Sequence, residues 1–422
     1  MIKFKNLTLN QTWMKIAVVG AGLTGMSCAR QLEDCAHVVI FEKDDIGGLA
    51  SSYCTKSYCI EKFYHHCFKT DFELIELAKE LNLKITWRIA RIGYAFNGKI
   101  YPLNTPIEIL KYPHLSLIDK IKLALFTLKS RRRDYSREDE RGVVEGIKEE
   151  LGDNLLNKFF MPLLKAKFGE HYKDVSYAWL LARVAIRSNR KLSGEELGYI
   201  RHGFHRLIER LSEGLNIRHQ EVKKIEKIAG KFEVNGDKFD AVVFTAPLPY
   251  LDDNIKKAAE IPEVKYQSSV CALIGAKETI SDDIYWTNVA DSDIFGAIIE
   301  HTHFMPFEDY GEHLIYLASY STPNGWLFNK SIDELKKLYL KEAKRFGLDE
   351  KDINWIKIFK AKFSGPIYER GYLKRMINYR TKIKGFYVAG MVSPPNYPER
   401  SMNGSIKAGI EVARIIKEDF GL

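Results

Sequence analysis

The order of apolar and polar positions near the amino terminus is typical of a βαβ unit. Residues 15–19 (KIAVV) form a short apolar run that predicts a buried strand, and residues 26–32 (MSCARQL) follow a glycine-rich turn with helical spacing. A second apolar run, residues 37–41 (HVVIF), predicts the next strand. Strands that alternate with helices in this way favour the α/β class with a parallel, doubly wound sheet.

The middle of the chain has a different pattern. Between residues 264 and 321, runs such as SSVCALIGA, IYWTNV and HLIYLASYS are rich in β-branched and aromatic residues, which predicts an antiparallel sheet. We expect this sheet to form the floor of a substrate pocket. Tyr285, Trp286 and Tyr320 are candidates for its lining, with ordinary burial in the core as the alternative. Residues 354–363 predict a further strand.

A helix is predicted over residues 115–133 (LSLIDKIKLALFTLKSRRR). Its apolar face is formed by Leu117, Ile118, Ile121, Leu125 and Leu128. Leu123 and Phe126 lie off that face, so the helix is apolar nearly all round and ends in basic residues. We expect a buried helix, and an interfacial helix that takes lipid-like substrates from a membrane is the alternative.

Composition changes this picture little. The chain has 422 residues, 45% of them hydrophobic, which is enough for a large core and two interleaved domains. The net charge of +9 is spread over a mixed surface, so nucleic acid is not an expected partner. No apolar run approaches the roughly 20 residues of a membrane span, and residues 1–13 lack a secretory apolar region. We expect a cytoplasmic protein in which residues 1–13 are an extension.

The turn after the first strand, within VVGAGLTGMSCA, has the glycine spacing of a dinucleotide site. Gly20 permits a tight turn, Gly22 lets the backbone approach a pyrophosphate, and Gly25 allows helix and strand to pack closely. Leu23 and Thr24 stand at the helix start, where unpaired N–H groups favour phosphate. An ordinary βαβ unit with incidental glycines is the alternative.

An acid and a second glycine pair follow the second strand. Glu42 comes twenty-two residues after Gly20, where a carboxylate can accept hydrogen bonds from both ribose hydroxyls and disfavours the extra phosphate of NADP. Lys43 follows it. The pair Gly47 and Gly48 offers a second point of close backbone approach, which suits a longer ligand.

The segment from Gly20 to Gly48, continued by Leu49, resembles the FAD fingerprint of the glutathione-reductase-like flavoproteins. Within them it is similar to the branch that holds amine oxidases, protoporphyrinogen oxidase, phytoene desaturases and UDP-galactopyranose mutase. The resemblance implies that FAD is the cofactor, with the glycine pair against its diphosphate and ribityl chain.

Two later segments extend the resemblance. Residues 385–391 (GFYVAGM) and 397–405 (YPERSMNGS) resemble the closing FAD motif of protoporphyrinogen-oxidase-like enzymes. Residues 221–222 and 241–247 resemble the middle segment, in which a valine backbone meets adenine. Many relatives have Asp where this chain has Met391, so a carboxylate contact to the cofactor is missing from the pattern. The implied cofactor contacts are Val222, Thr245, Gly390, Met391, Met402, Asn403 and Ser405.

Three residues are candidates for catalysis. His65 and His66 lie in EKFYHHCFKTD, which resembles the loop that brings a histidine near the flavin in these families. A neutral imidazole can hydrogen-bond flavin N5 or relay a proton, and neighbouring residues of a strand cannot both point inward. Arg400 is expected to be a fixed cation near the ring, beside the helix start at Asn403, and a surface or phosphate-binding role is its alternative.

The six cysteines are expected to be reduced, because the chain is expected to be intracellular. Cys54 and Cys59 have the spacing of the redox pair in disulfide reductases, but no second GxGxxG motif is present to dock NAD(P)H. A redox disulfide, or a metal site that adds His65, is therefore the minor alternative, and no metal is expected. Electrons are expected to enter from an organic substrate. The remaining cysteines are Cys28, Cys35, Cys67 and Cys271.

Together these features predict a doubly wound, Rossmann-like FAD-binding domain with an inserted α+β substrate domain that contains an antiparallel sheet. The FAD domain is expected to comprise residues 14–60, 205–250 and 365–422, and the substrate domain residues 61–204 and 251–364.

The expected function is that of an FAD-dependent oxidoreductase that transfers a hydride from a small organic molecule to flavin N5. One alternative is a mutase-like sugar isomerase, in which Arg183, Arg187 and Arg201 are possible ligands of a nucleotide diphosphate. Another is a non-enzymatic binder of prenylated partners, similar to GDP-dissociation inhibitors.

Overall fold

The computed structural model describes residues 13–130, 132–187 and 194–422, so the predicted extension lies almost wholly outside the described residues. In chain order the strands are β1 (Met14–Val19), β2 (Ala36–Glu42), β3 (Ser52–Cys54), β4 (Cys59–Glu61), β5 (Ile85–Ala90), β6 (Ile92–Phe96), β7 (Lys99–Pro102), β8 (Glu195–Ile200), β9 (Ile217–His219), β10 (Ile225–Ile228), β11 (Lys231–Val234), β12 (Asp237–Phe239), β13 (Ala241–Phe244), β14 (Tyr266–Ala276), β15 (Trp286–Val289), β16 (Ala297–Glu300), β17 (His313–Ser321), β18 (Ile353–Pro366) and β19 (Phe386–Val388).

The α-helices alternate with these strands in the amino-terminal unit and are grouped together in the middle of the chain. They are α1 (Leu23–Leu32), α2 (Phe72–Glu80), α3 (Pro106–Lys111), α4 (Leu117–Ser130), α5 (Val143–Leu151), α6 (Asp153–Leu155), α7 (Met161–Phe168), α8 (Tyr177–Arg187), α9 (His205–Ser212), α10 (Asp253–Ala258), α11 (Trp326–Asn329), α12 (Ile332–Arg345) and α13 (Met402–Phe420).

The first sheet has five parallel strands in the order β19-β13-β1-β2-β9. Its middle strand, β1, is an apolar run whose residues Ile16, Ala17 and Val18 are fully buried. A strand that is covered on both faces has a continuous run of apolar residues, whereas a strand with one solvated face alternates apolar and polar residues. Helix α1 connects β1 to β2, and α13 packs on α1, where the Thr24 hydroxyl donates to the Ser405 carbonyl at 3.0 Å. The predicted α/β class is confirmed.

The second large sheet has seven strands in the order β18-β14-β17-β16-β15-β6-β7. Its strands are antiparallel except for β15 and β6, which run parallel. Strand β14 pairs with β18 and β17 and is buried along its whole length. The antiparallel sheet predicted over residues 264–321 is therefore present, and it recruits β18 and two early strands. The domain boundaries given above stay a prediction.

Helix α4 contradicts the expected burial of residues 115–133. Its buried side chains are Asp119, Phe126 and Ser130, on the face opposite the predicted apolar stripe. The stripe residues Leu117, Ile118, Ile121, Leu125 and Leu128 are between 51% and 67% exposed. Periodicity predicts that a helix has an apolar face but does not say whether the protein or something else covers it.

The expectation that all the cysteines are reduced is wrong for one pair. Cys54 and Cys59 form a disulfide that closes the hairpin between β3 and β4. Directly opposed hairpin positions bring two Cβ atoms within disulfide range, and the pairing places these two residues opposite each other. The cysteines at 28, 35, 67 and 271 are free thiols.

Candidate functional site

The glycine-rich turn joins β1 to α1 in the way the spacing predicts. Gly20 has φ of +108°, a conformation that L side chains rarely adopt, and its N–H donates to the Phe41 carbonyl at 2.8 Å. A Cβ at Gly25 would collide with the Gly20 carbonyl, so helix and strand approach closely there. Gly22 is the residue before α1, and a Cβ at that position would meet no protein atom within 4 Å. There is thus open space beside the start of the helix.

The second strand ends against this turn. The carboxylate of Glu42 accepts hydrogen bonds from the backbone N–H groups of Ala21, at 2.8 Å, and Asp44, at 2.9 Å. The N–H of Gly47 donates to the Ala21 carbonyl at 2.8 Å, and Gly47 and Gly22 form an isolated parallel bridge. The glycine-rich turn after β1 and the later glycine pair, which are separated in the sequence, are therefore joined by a backbone hydrogen bond.

These segments border a cleft of about 640 Å³, here called the outer cleft. Its walls come from the turns after all five parallel strands and from the start of α13. The predicted cofactor residues that line it are Gly20, Gly22, Leu23, Thr24, Glu42, Lys43, Gly47, Gly48, Leu49, Val222, Thr245, Gly390, Met391, Met402 and Ser405.

Two predicted cofactor residues lie outside that lining. Gly25 lies under the turn, as its packing role requires. The side chain of Asn403 is turned towards α2, where it accepts from the Leu74 N–H at 2.9 Å and donates to Glu73 at 2.8 Å. Asn403 therefore joins two helices, and Ser401 caps α13 by accepting from the Gly404 N–H at 2.9 Å. Sequence alone could not distinguish these neighbouring polar residues of one motif.

A second space of about 230 Å³, here called the inner cavity, adjoins the outer cleft. It lies between the seven-stranded sheet and the helices α7 and α8. The residues that line both spaces are Leu49, Phe63, His65, Arg400, Ser401 and Met402. Trp286 and Tyr320 line the inner cavity as predicted, whereas Tyr285, 1% exposed, is absent from its lining.

The two histidines differ in position. His65 lines both spaces, and its Nδ1 lies 2.7 Å from the Phe63 carbonyl, so Nδ1 carries the proton and Nε2 is an acceptor. Burial, with a smaller effect of Arg400, lowers the pKa of His65 to about 4, so the imidazole is neutral at pH 7. His66 lines only the inner cavity, with Nδ1 3.2 Å from the Tyr285 hydroxyl.

The inner cavity contains a charged cluster that no sequence motif indicates. Lys167 Nζ and Arg183 NH1 lie 3.3 and 3.0 Å from the same Oε1 atom of Glu399, and Trp179 donates its Nε1–H to the other oxygen. Burial alone would raise the pKa of Glu399, but these cations and Arg400 lower it to about 2. The residues are more than 200 positions apart in the chain, and nothing local signals that they meet.

The arginines suggested for a nucleotide diphosphate are not gathered at one place. Arg183 lines the inner cavity. Arg201 forms an exposed ion pair with Asp309, with NH2 to Oδ1 at 2.8 Å. The side chain of Arg187 lies outside the described residues. Within the described ranges, no group of three or more His, Cys, Asp or Glu residues is placed to hold a metal, and no helix is long and apolar enough to cross a membrane.

Comparison with known proteins gives a family match over most of the chain. The family of flavin containing amine oxidoreductases matches residues 23–417. Flavin-containing amine oxidase B of Rattus norvegicus is 31% identical over 113 residues, which are 24% of this chain and 22% of that protein. The 15-cis-phytoene desaturase of Synechococcus elongatus is 32% identical over 80 residues, 18% of this chain and 17% of that protein. The chain thus aligns with less than a quarter of the length of either relative.

Solved structures share the fold over nearly the whole chain. A protein assigned as a protoporphyrinogen oxidase from Exiguobacterium sp. 255-15 has a TM-score of 0.75 at 18% identity, covering 98% of this chain and 100% of that one. Reduced UDP-galactopyranose mutase has a TM-score of 0.72 at 16% identity, covering 96% of each chain. These likenesses establish the fold, and the predicted superfamily is confirmed together with the family match.

Proposed function

Because the chain belongs to the flavin containing amine oxidoreductase family, we propose that it is an FAD-dependent oxidoreductase that removes a hydride from a C–H bond of an organic substrate. The family implies a flavin, and the choice of FAD is part of this proposal. When bound, FAD supplies the acceptor for the hydride. The observation that carries the proposal is the outer cleft, which joins the glycine turn, Glu42 and the start of α13 to a second space.

The residues of the outer cleft fit an extended dinucleotide. Open space beside Gly22, at the start of α1, suits a pyrophosphate because backbone N–H groups and the helix dipole both favour anions there. Glu42 is held by two backbone N–H groups at the end of β2, where it would bind the ribose hydroxyls. Val222 and Met391 would lie against other parts of the cofactor.

The inner cavity is the proposed substrate site. It shares His65 and Arg400 with the outer cleft, so a substrate inside it would lie next to both residues. His65 is neutral, and its Nε2 can accept a proton from a substrate N–H or O–H group while the Phe63 carbonyl fixes the ring. Arg400 supplies a fixed positive charge at the boundary between the two spaces.

The proposal is tested by anaerobic reduction of the purified, flavin-loaded protein with a panel of amine, porphyrinogen, polyene, fatty-acid and UDP-sugar compounds. Fast bleaching of the flavin by one class, followed by recovery with oxygen or a quinone, supports the proposal. A protein that binds flavin but is bleached by none of them, and instead isomerises a UDP-sugar under reducing conditions, supports the mutase alternative. His65→Gln is expected to retain flavin and to slow bleaching at least about tenfold, a lower bound for a lost acid–base group.

A further inference from the structure

The inner cavity has a surplus of positive charge. Lys167, Arg183 and Arg400 line it together with Glu399, so three positive charges and one negative charge leave a surplus of two. Asp71 also lines the cavity, accepting the Phe68 N–H at 2.8 Å, and burial raises its pKa to about 6. Even when Asp71 is ionised, the charged groups of the lining have a net positive charge.

Arg400 is the cation of this group that has no acidic partner. Lys167 and Arg183 share Glu399, whereas Arg400 forms no ion pair or hydrogen bond with the part of the chain that the structure describes. Its side chain crosses Gly365 so closely that a Cβ there would collide with the guanidinium. The chain thus leaves room for an arginine whose charge is not neutralised by the protein.

The positive charge of the inner cavity also affects the phenol group of Tyr320. The hydroxyls of Tyr320 and Tyr64 are 2.8 Å apart, and Lys167 Nζ lies 5.4 Å from the centre of the Tyr320 ring. Burial alone would raise the pKa of Tyr320, but Lys167, Arg400 and Arg183 lower it below its ordinary value. The cations of the inner cavity therefore favour negative charge at the position of the Tyr320 hydroxyl.

We infer that the substrate is an organic anion, an inference that rests on the proposed function. Its carboxylate or phosphate binds Arg400 and Lys167, and its apolar part lies against Val270, Cys271 and Trp286. Guanidinium groups bind both anions through paired N–H donors. Primary amines are protonated at neutral pH and would meet a surplus of like charge, so they are poor ligands of this cavity.

The test compares four ligands with the same eight-carbon chain: octanoate, octyl phosphate, octanol and octylamine. Calorimetry on flavin-loaded and flavin-free protein is expected to give at least about tenfold tighter binding of one or both anions than of octanol, and no measurable binding of octylamine. The order of the two anions identifies the head group. Equal binding of octylamine and octanoate would overturn the inference.

Variants locate the anion. Arg400→Gln is expected to weaken octanoate binding at least about tenfold, and Gly365→Ala, which displaces the Arg400 side chain, should act in the same direction. Arg201→Gln is the matched control, because it removes an arginine that pairs with Asp309 outside both spaces. Unchanged affinity in Arg400→Gln would refute the assignment. A protein without flavin would defeat the proposed function, while calorimetry on that same protein still decides the anion inference.

A second inference comes from the exposed face of α4. Its stripe residues fall within an arc of about 100° on the helix, and Ile107 and Leu110 of the adjacent α3 are also more than half exposed. Contiguous exposed apolar surface of this kind marks an interaction site rather than ordinary surface.

The charged residues near this apolar face indicate which kind of partner binds it. The exposed residues Lys122 and Lys129 lie beside the stripe on one side of the helix, and Lys111 and Arg132 of the same segment are exposed as well. The two acids of the segment are engaged elsewhere, since Glu108 binds Arg91 at 2.7 Å and Asp119 is buried. We propose that this face docks on a membrane leaflet that contains anionic lipid, because basic residues beside an apolar helix face suit that surface. A second copy of the chain would bring like charges together.

Sedimentation with vesicles tests the docking surface. The protein is expected to bind vesicles of phosphatidylcholine mixed with phosphatidylserine, and to bind pure phosphatidylcholine at least about fivefold less, since each basic residue near an anionic surface contributes about 1 kcal/mol. The double variant Ile121→Glu with Leu125→Glu should lose binding, and Ile228→Glu, at an exposed apolar position on β10, should not. Equal sedimentation of all three proteins, or a dimer in solution that the double variant abolishes, would overturn the proposal.

Discussion

The backbone N–H of Ala21, in the turn after β1, donates a hydrogen bond of 2.8 Å to Oε2 of Glu42, the last residue of β2. Together with the bond from the Asp44 N–H to Oε1, it fixes the carboxylate at the edge of the outer cleft. Glu42 therefore has a structural role in addition to the ribose contact that its position implies.

Glu42→Ala is expected to lower the free energy of unfolding by about 1–3 kcal/mol, because two backbone N–H groups lose their acceptor. The measurement is chemical denaturation of the flavin-free protein. Asp44→Ala is the control, since the Asp44 side chain is exposed and forms only a 3.9 Å ion pair with Lys43. Equal stability of the two variants would contradict the structural part given to Glu42.

Gly22→Val and Gly25→Val separate binding from folding. A Cβ at Gly22 would meet no protein atom within 4 Å, so this variant is expected to melt like the wild type without flavin but to retain far less flavin on gel filtration. At Gly25 the side chain would collide with the Gly20 carbonyl, and that variant should be destabilised or fail to fold. Full flavin retention by Gly22→Val would mean that the ligand does not approach this turn.

These elements were accessible to sequence analysis because each is coded by neighbouring residues. The apolar run of β1 and the glycine spacing are local patterns, and the structure has both. The position of Glu42 was predicted for the same reason.

The rest of the site depends on contacts between distant segments. Glu399 contacts Lys167 and Arg183 because α7 and α8 pack beside the loop between β19 and α13. No spacing within the sequence indicates this packing. The orientation of α4 and the turn of Asn403 towards α2 are likewise decided by tertiary packing. The wrong expectation for Cys54 and Cys59 has a related cause, since it rested on cellular compartment rather than on the hairpin that opposes the two residues.

Replacement of Cys54 and Cys59 together by serine is expected to lower the free energy of unfolding by about 2 kcal/mol, as expected for loss of a crosslink that closes a short loop. Flavin retention should not change, because neither residue lines the outer cleft. The measurement is denaturation with and without a reducing agent. A wild type whose stability does not respond to reduction would contradict the disulfide.

Protonation of His301 in the unfolded chain is expected to lower the free energy of unfolding between pH 7 and pH 5. Burial lowers the pKa of His301 to about 3, so the unfolded chain binds a proton below its ordinary pKa of 6.5 while the folded protein does not. The stabilising effect is therefore present above that value and is lost as pH falls, by about 2 kcal/mol at pH 5. Denaturation at both pH values should show a smaller difference for His301→Gln. An unchanged difference would contradict the prediction.

The central claim is that the outer cleft binds FAD, and the absorbance spectrum of the purified protein tests it most directly. We expect a yellow protein whose chromophore stays bound on gel filtration and is identified as FAD by its mass after release. A colourless protein that takes up no flavin after refolding with excess FAD would contradict the account.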